Sequence, residues 1–313
     1  MTVIRQAYRG RRRAAPIAVL AAALLLLSVG GGSARAADVT CGAVITQDTT
    51  LHGDLLSCPG DGLVIGADGV TLDLNGHTIS YGANDHAFSG VDNNGGYDAV
   101  TVLDGRVQGF GTGVLLSNAA DGNVVRGVTV TDTNLGVYLS GSNGELDRNT
   151  ATGNNGSGIA LGYATHDTVV SNVVTGNGFE GIELRTSSDN VLLGNLVTGN
   201  GFSRQPENGQ EGITVLVSSA RNLLEKNVVS GSATDGILVD ASSTGTLLAK
   251  NETTQNGDDG IQVDDPATTL TKNRANANVD LGIEAVPGVT DGGGNRAGAN
   301  GNPAQCTNVS CRT

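Results

Sequence analysis

A short apolar pattern, Gly-Ile/Val-x-Leu/Val, recurs along the chain. It starts at Gly113 (GVLL), Gly136 (GVYL), Gly158 (GIAL), Gly181 (GIEL), Gly212 (GITV), Gly236 (GILV), Gly260 (GIQV) and Gly282 (GIEA), with a degenerate earlier member at Gly62 (GLVI). The spacings from Gly113 onward are 23, 22, 23, 31, 24, 24 and 22 residues. Asn149, Asn172, Asn195, Asn227, Asn251 and Asn273 form a column in phase with it, and Leu or Val lies three residues before each Asn, as at Leu146, Val169 and Leu192. A second column holds Asn154, Asn177, Asn200, Asn256 and Asn278, with Ser232 as the exception. A period this short cannot hold two packed helices, but it fits three short strands joined by tight turns. The alternation Ile-x-Leu turns two apolar side chains to one face and the middle one to the other. Stacked coils then place Ile on Ile about 4.8 Å apart, and each buried aliphatic side chain contributes roughly 1.5–3 kcal/mol. Asn suits left-handed turn geometry and can pass amide hydrogen bonds from coil to coil. The expected architecture is all-β, a single-stranded parallel β-helix of about ten coils. The leucine-rich and calcium-roll repeat signatures are absent.

Composition supports this reading. Gly is 48 of 313 residues and Trp is absent, about twice the ordinary Gly usage. That much Gly would cost about 1 kcal/mol at each helix-interior position, so a helical bundle is excluded. Abundant Val, Leu and Ile with only 16% charged residues argue against disorder. Residues 1–37 carry Arg5, Arg9 and Arg11 to Arg13, then the apolar run Ala14 to Val29, then Ala34-Arg35-Ala36. This is the layout of a cleaved export signal, and it predicts a secreted, extracellular protein. The segment holds 6 of the 18 basic residues and none of the 31 acidic ones, so the remaining chain carries 12 against 31, a net −19. Such a balance disfavours nucleic acid and anionic membrane as partners.

The columns GI-x-L, Leu-x-x-Asn-x-Val and GN-G resemble the right-handed parallel β-helix repeats of the pectin-lyase-like superfamily, in particular its NosD-like and CASH (carbohydrate-binding and sugar hydrolase) repeats. The resemblance covers residues 41–311 and implies a right-handed coil. It is specific for fold and poor for reaction, because this fold hosts lyases, epimerases, glycosidases and binding proteins. Geometry then selects among the three pairings of the four cysteines. Ten coils put Cys41 and Cys306 roughly 45 Å apart, whereas a disulfide needs Cα atoms within about 7 Å. Only Cys41–Cys58 and Cys306–Cys311 can form. The expected organisation is a signal at 1–37, a disulfide-closed N-terminal cap at 38–61, the β-helix at 62–300 and a disulfide-closed tail at 301–313.

Two insertions break the period. Tyr81 to Phe88 lengthens the step from Gly62 to Gly90 to 28 residues, and Ser203 to Gln210 lengthens that from Gly181 to Gly212 to 31. Both precede a GI-x-L strand, so both should rise from the same turn of the cross-section and flank a trough. Its floor would carry Tyr138, Glu183 and Arg185 from outward strand positions, with Tyr163 and His166 from the following turn. Elimination or C5 epimerisation of a uronate needs a cation beside the substrate carboxylate and an acid and a base at the α-carbon and leaving oxygen. Tyr138, His166, Glu183 and Arg185 are the catalytic candidates. Tyr163, His86, Arg204, Asp240, Gln262 and Asp264 are candidates for substrate contact. The plainer alternative is a solvated i, i+2 pair of Glu183 and Arg185 and an ordinary turn histidine. Glu180, Glu211, Asp235 and Asp259 each precede a strand glycine, and stacked like charges could hold Ca²⁺ between coils; equally, an acid before Gly is good turn chemistry. No Gly-His-Gly or Arg-Ile-Lys of polygalacturonases and no Asp-Pro-His-Asp of mannuronan epimerases occurs, and aromatics are only 3% of the chain. The expected function is a monomeric secreted β-helix that binds or modifies an extracellular polysaccharide, with uronate lyase or C5-epimerase chemistry. The competing class is a non-catalytic cell-surface or matrix protein.

Overall fold

Each repeat forms one coil of three short strands, as in Ile182–Arg185, Val191–Leu193 and Leu196–Thr198. The computed structural model describes residues 39–83, 86–202 and 209–313. The expected export signal and Arg204 lie outside the described residues. Equivalent strands pair in parallel and build three ladders. The first ladder has eleven strands, from Ala43–Ile45 to Ile283–Ala285. That is one more than the repeat count suggested, because Ala43, Val44 and Ile45 already pair in register with Leu63, Val64 and Ile65.

The register follows the apolar columns. Ile182 stacks on Ile159 and Ile213, and Leu184 on Leu161 and Val215. All six are fully buried. The second ladder turns one side chain per strand inward (Val169, Leu192, Leu224, Leu248, Leu270) and so does the third (Val174, Val197, Val229, Thr253, Ala275). The opening Gly of the repeat is there for space. A Cβ on Gly212 would stand 2.6 Å from the carbonyl oxygen of Gly236, and one on Gly260 would meet that of Gly282 at the same distance.

Asparagine works at the corners differently from the expectation. The left-handed residue is the one before each Asn: Ser171, Lys226, Lys250 and Lys272 have φ of 56–57°. The Asn itself turns inward and is buried. Asn195 shows the arrangement. Its backbone N–H and its Nδ2 both donate to Asn227 Oδ1 (3.0 and 2.9 Å), and Nδ2 also donates to the carbonyl of Val169 (2.9 Å). The Asn195 amide thus satisfies the Val169 carbonyl and the Asn227 amide the Asn195 N–H, two backbone groups that a bend would leave unpaired inside the protein. A third ladder of this kind, Asn190 and Asn222 after the first strand of the coil, was not visible as a column, because Gly144, Asp167 and Thr246 interrupt it. The two disulfides are Cys41–Cys58 and Cys306–Cys311, and they close the two ends of the stack.

Candidate functional site

Tyr138, Ala160, Glu183 and Thr214 lie side by side in the first ladder, on its outer face. Two residues further, Gly162 pairs with Arg185. The small residues Ala160 and Gly162 make a depression between the larger ones. Tyr138 leans across it: a Cβ on Gly162 would stand 3.1 Å from ring carbons Cε2 and Cζ. Burial, together with the nearby Tyr163 and Glu183, raises the phenol above its ordinary value and keeps it protonated. On the other side, Arg185 Nε donates to Glu183 Oε1 at 2.7 Å. The Glu183 hydrogen bond and charge raise the guanidinium still further. Tyr163, at the corner (φ 55°), is exposed over the same depression.

Both insertions belong to the corner that leads into the first ladder. Tyr81 packs its ring against Phe88 and Phe110, with centroids 5.8 and 5.5 Å apart, and so anchors the first one. His86 then reaches down the corner. Its carbonyl accepts from Asn134 Nδ2 (3.4 Å), its Nε2 faces Asn155 Nδ2 (3.5 Å), and its buried Nδ1 has no partner. The second insertion returns to the coil beside Glu180, which a Cβ on Gly209 would strike. Four strands of the first ladder run between the two, beginning at Thr112, Leu135, Ile159 and Ile182.

The other sequence candidates are dispersed. His166 is the left-handed residue of the next corner (φ 60°), where its N–H meets the Ser188 carbonyl and its ring shares the field of Asp189. Asp240 is engaged in a turn: it accepts bonds from Ser243 and Ser242 and from the backbone of Val217. Burial opposes its ionisation, but these bonds outweigh it and hold it below the ordinary carboxylate range. Gln262 and Asp264 contact each other two coils beyond the second insertion.

The acidic residues stack along one corner, and three of them are buried. Glu180, Asp235 and Asp259 are 5%, 6% and 1% exposed. Burial, reinforced by neighbouring carboxylates, pushes Glu180 and Asp235 up to about 7 and Asp259 up to about 8. Glu211 lies between Glu180 and Asp235 in the stack. Among the described residues, the carboxylates that could share one cation are Asp258, Asp259 and Asp280, within 4.8 Å of one another. Of the four expected metal ligands only Asp259 belongs to that group; its companions come from the preceding residue and the next coil.

The sequence of residues 87–247 matches the family described as right handed beta helix region. The chain belongs to that family. Residues 203–296 of this β-helix also match the family described as periplasmic copper-binding protein (NosD). Copper sites draw on Cys, Met and His, and residues 203–296 contain none of these, so the matched segment does not fit that metal. No curated protein sequence matches the chain closely enough to argue from. Among solved structures, the fold is similar to a periplasmic alginate epimerase AlgG (TM-score 0.57, 13% identity, 86% of this chain and 73% of that one). It is also similar to the Azotobacter vinelandii mannuronan C-5 epimerase AlgE4 A-module (0.51, 14%, 88% and 90%) and to pectate lyase Pel9A (0.50, 13%, 87% and 69%). At these identities the likeness is one of fold.

Proposed function

We propose that this β-helix is exported and acts on an extracellular acidic polysaccharide in the trough of the first ladder. The observation that carries the reading is the convergence of Tyr138, Glu183 and Arg185 around the Ala160–Gly162 depression. A uronate carboxylate is a better partner for the planar Arg185 fork than Glu183 alone. Its arrival would draw Arg185 over and free Glu183 to act as base at the α-carbon. Tyr138, which stays protonated, would give its proton to the leaving oxygen in an elimination, or to the opposite face of the carbanion in an epimerisation. The fold likeness to alginate epimerase, mannuronan epimerase and pectate lyase supports the substrate class. In the same reading a Ca²⁺ ion, which prefers hard oxygen ligands, would be held by Asp258, Asp259 and Asp280, outside the trough.

The test is incubation with polymannuronate, polyguluronate and polygalacturonate, following the ultraviolet absorbance of unsaturated ends and the proton spectrum of inverted C5 centres. Product formation that is lost in both Tyr138→Phe and Arg185→Ala supports the proposal. Product formation indifferent to both variants overturns the site. The closed Glu183–Arg185 pair favours a second reading, in which the trough binds without turnover; binding that depends on Arg185 but yields no product would establish it.

A further inference from the structure

Charge is segregated around the solenoid. Lys226, Lys250 and Lys272 occupy the same corner position of successive coils, just after the second ladder, and their backbone N–H groups donate in turn to Ala249, Thr271 and Gly293. Arg274 and Arg296 are in register in the adjoining third ladder, and Arg296 bridges to Arg312. All six side chains are exposed. Half of the 12 cations beyond residue 37 thus line one edge of the last coils. The acids that face them are Glu225, shared by Lys250 (2.7 Å) and Lys226 (3.5 Å), and Glu252, in register with Arg274. Asp291 is nearby, but its carboxylate is taken up by the backbone N–H groups of Gly293 and Ser310. Among the described residues no carboxylate comes within ion-pair distance of Lys272, Arg274, Arg296 or Arg312. The lysines also stand at φ of 56–57°, where an L side chain costs roughly 1–2 kcal/mol; the same position upstream holds Arg148, Ser171 and Gly194. Folding alone gives no reason for long cationic side chains there.

We infer that this edge is a second binding surface, a track for a linear carboxylated polysaccharide that runs along the solenoid axis. Successive cations are one coil apart, about 4.8 Å, a repeat comparable with one sugar of an extended chain. Screening acts over about 8 Å at physiological ionic strength, so a polyanion at this edge meets its local positive charge. At the corner between the third and first ladders it meets Glu180, Glu211, Asp235, Asp258 and Asp259 instead. The edge is a ridge of corner residues without aromatic side chains on which bases could stack. Its neighbouring aliphatics, Leu196 and Val228, are only 41% and 40% exposed in the plane of the sheet, which offers nothing to insert into a bilayer. The inference shares a substrate class with the trough but none of its residues, so either can fail alone.

The experiment is affinity electrophoresis of the full chain in polymannuronate and in polygalacturonate, at low and at physiological ionic strength. Binding should weaken with salt. Lys272→Gln/Arg274→Gln/Arg296→Gln should weaken it about tenfold or more and flatten the salt dependence, with thermal unfolding unchanged. Glu225→Gln/Glu252→Gln should strengthen it. The triple Arg126→Gln/Arg148→Gln/Arg221→Gln, which removes equal charge from cations already paired with Glu145, Asp147 or Asp189, should have little effect. Equal losses in the two triple variants, no binding by the unaltered chain, or equally tight binding to duplex DNA or phosphatidylglycerol vesicles would overturn the inference.

Discussion

Asp167→Asn should make this protein more stable, and more so at high pH. Asp167 stands in the corner column that continues as Asn190 and Asn222. Its Oδ1 accepts from Gly144 N–H (2.6 Å), and its own N–H donates to Asn190 Oδ1 (2.9 Å). Its Oδ2 is buried without a partner. In the next coil the equivalent atom is Asn190 Nδ2, which donates to Asn222 Oδ1 and to the Ala164 carbonyl, both at 3.1 Å. A carboxylate oxygen has therefore been placed where the ladder needs a donor. Burial is the largest cause that pushes Asp167 up, to about 7 from an ordinary 3.8. At 1.36 kcal/mol per pH unit, ionising it in place costs up to about 4 kcal/mol at pH 8. An amide removes that cost and adds one or two hydrogen bonds of about 1 kcal/mol each. Because the folded value lies above the unfolded one, the native state binds the extra proton between about pH 4 and 7, and the parent loses stability as pH rises through that window. The gain from Asn should be about 3 kcal/mol larger at pH 8.5 than at pH 4.5. Urea unfolding of both proteins at the two pH values measures it. An equal gain at both pH values, or a loss, would show that Oδ2 is not misplaced.

The same logic applies to the acidic corner. With Glu180, Asp235 and Asp259 all raised to about 7 or 8, the thermal midpoint should fall steadily from pH 5 to pH 8.5, and added Ca²⁺ should recover part of the loss at the alkaline end but not at pH 5; a midpoint that rises with pH would refute the buried placement. Thr253→Val should stabilise by about 1–2 kcal/mol in chemical denaturation, since Thr253 Oγ1 is buried and unpartnered between Val229 and Ala275. Ile182→Asp should leave little folded protein by circular dichroism, because it buries a charge between Ile159 and Ile213; a normal spectrum and midpoint would contradict its inward side.

The fold was legible because every coil repeats one packing problem. Ile159, Ile182 and Ile213 carry the same restraint, so a period in the sequence reads directly as a stack. Even the insertions could be placed, because each lengthens a step that ends at a strand glycine. Outward positions carry no such restraint. His166 looked like a neighbour of Tyr138 in sequence order, but its backbone bond to Ser188 and its place beside Asp189 tie it to the corner that follows. Asp240 looked free, yet its lone pairs close a turn. The function of an Asn column also needed coordinates: sequence shows that the residue recurs, while the left-handed conformation falls on the residue before it and the amide turns inward.

The depression beside Tyr138 shows where such a fold can acquire chemistry. The stack fixes the inward residues coil by coil, and the corners are held by buried amides, so the outer face of a ladder can vary freely. On a uniform face, neighbours about 4.8 Å apart would cover one another. Ala160 and Gly162 break that uniformity by leaving two adjacent outward positions nearly empty. Only then can Tyr138 lie across the next coil, over Gly162, towards Glu183 of the coil beyond. Gly162→Val should test this without touching a charged group. The outward branched side chain suits a strand and should cost little stability. It would meet the Tyr138 ring, however, and push the phenol out of the depression. Binding of an acidic oligosaccharide in the trough should then fall together with any turnover, while the unfolding midpoint stays near that of the parent. Unaltered binding would show that the depression is incidental and that the residues around it do not act together.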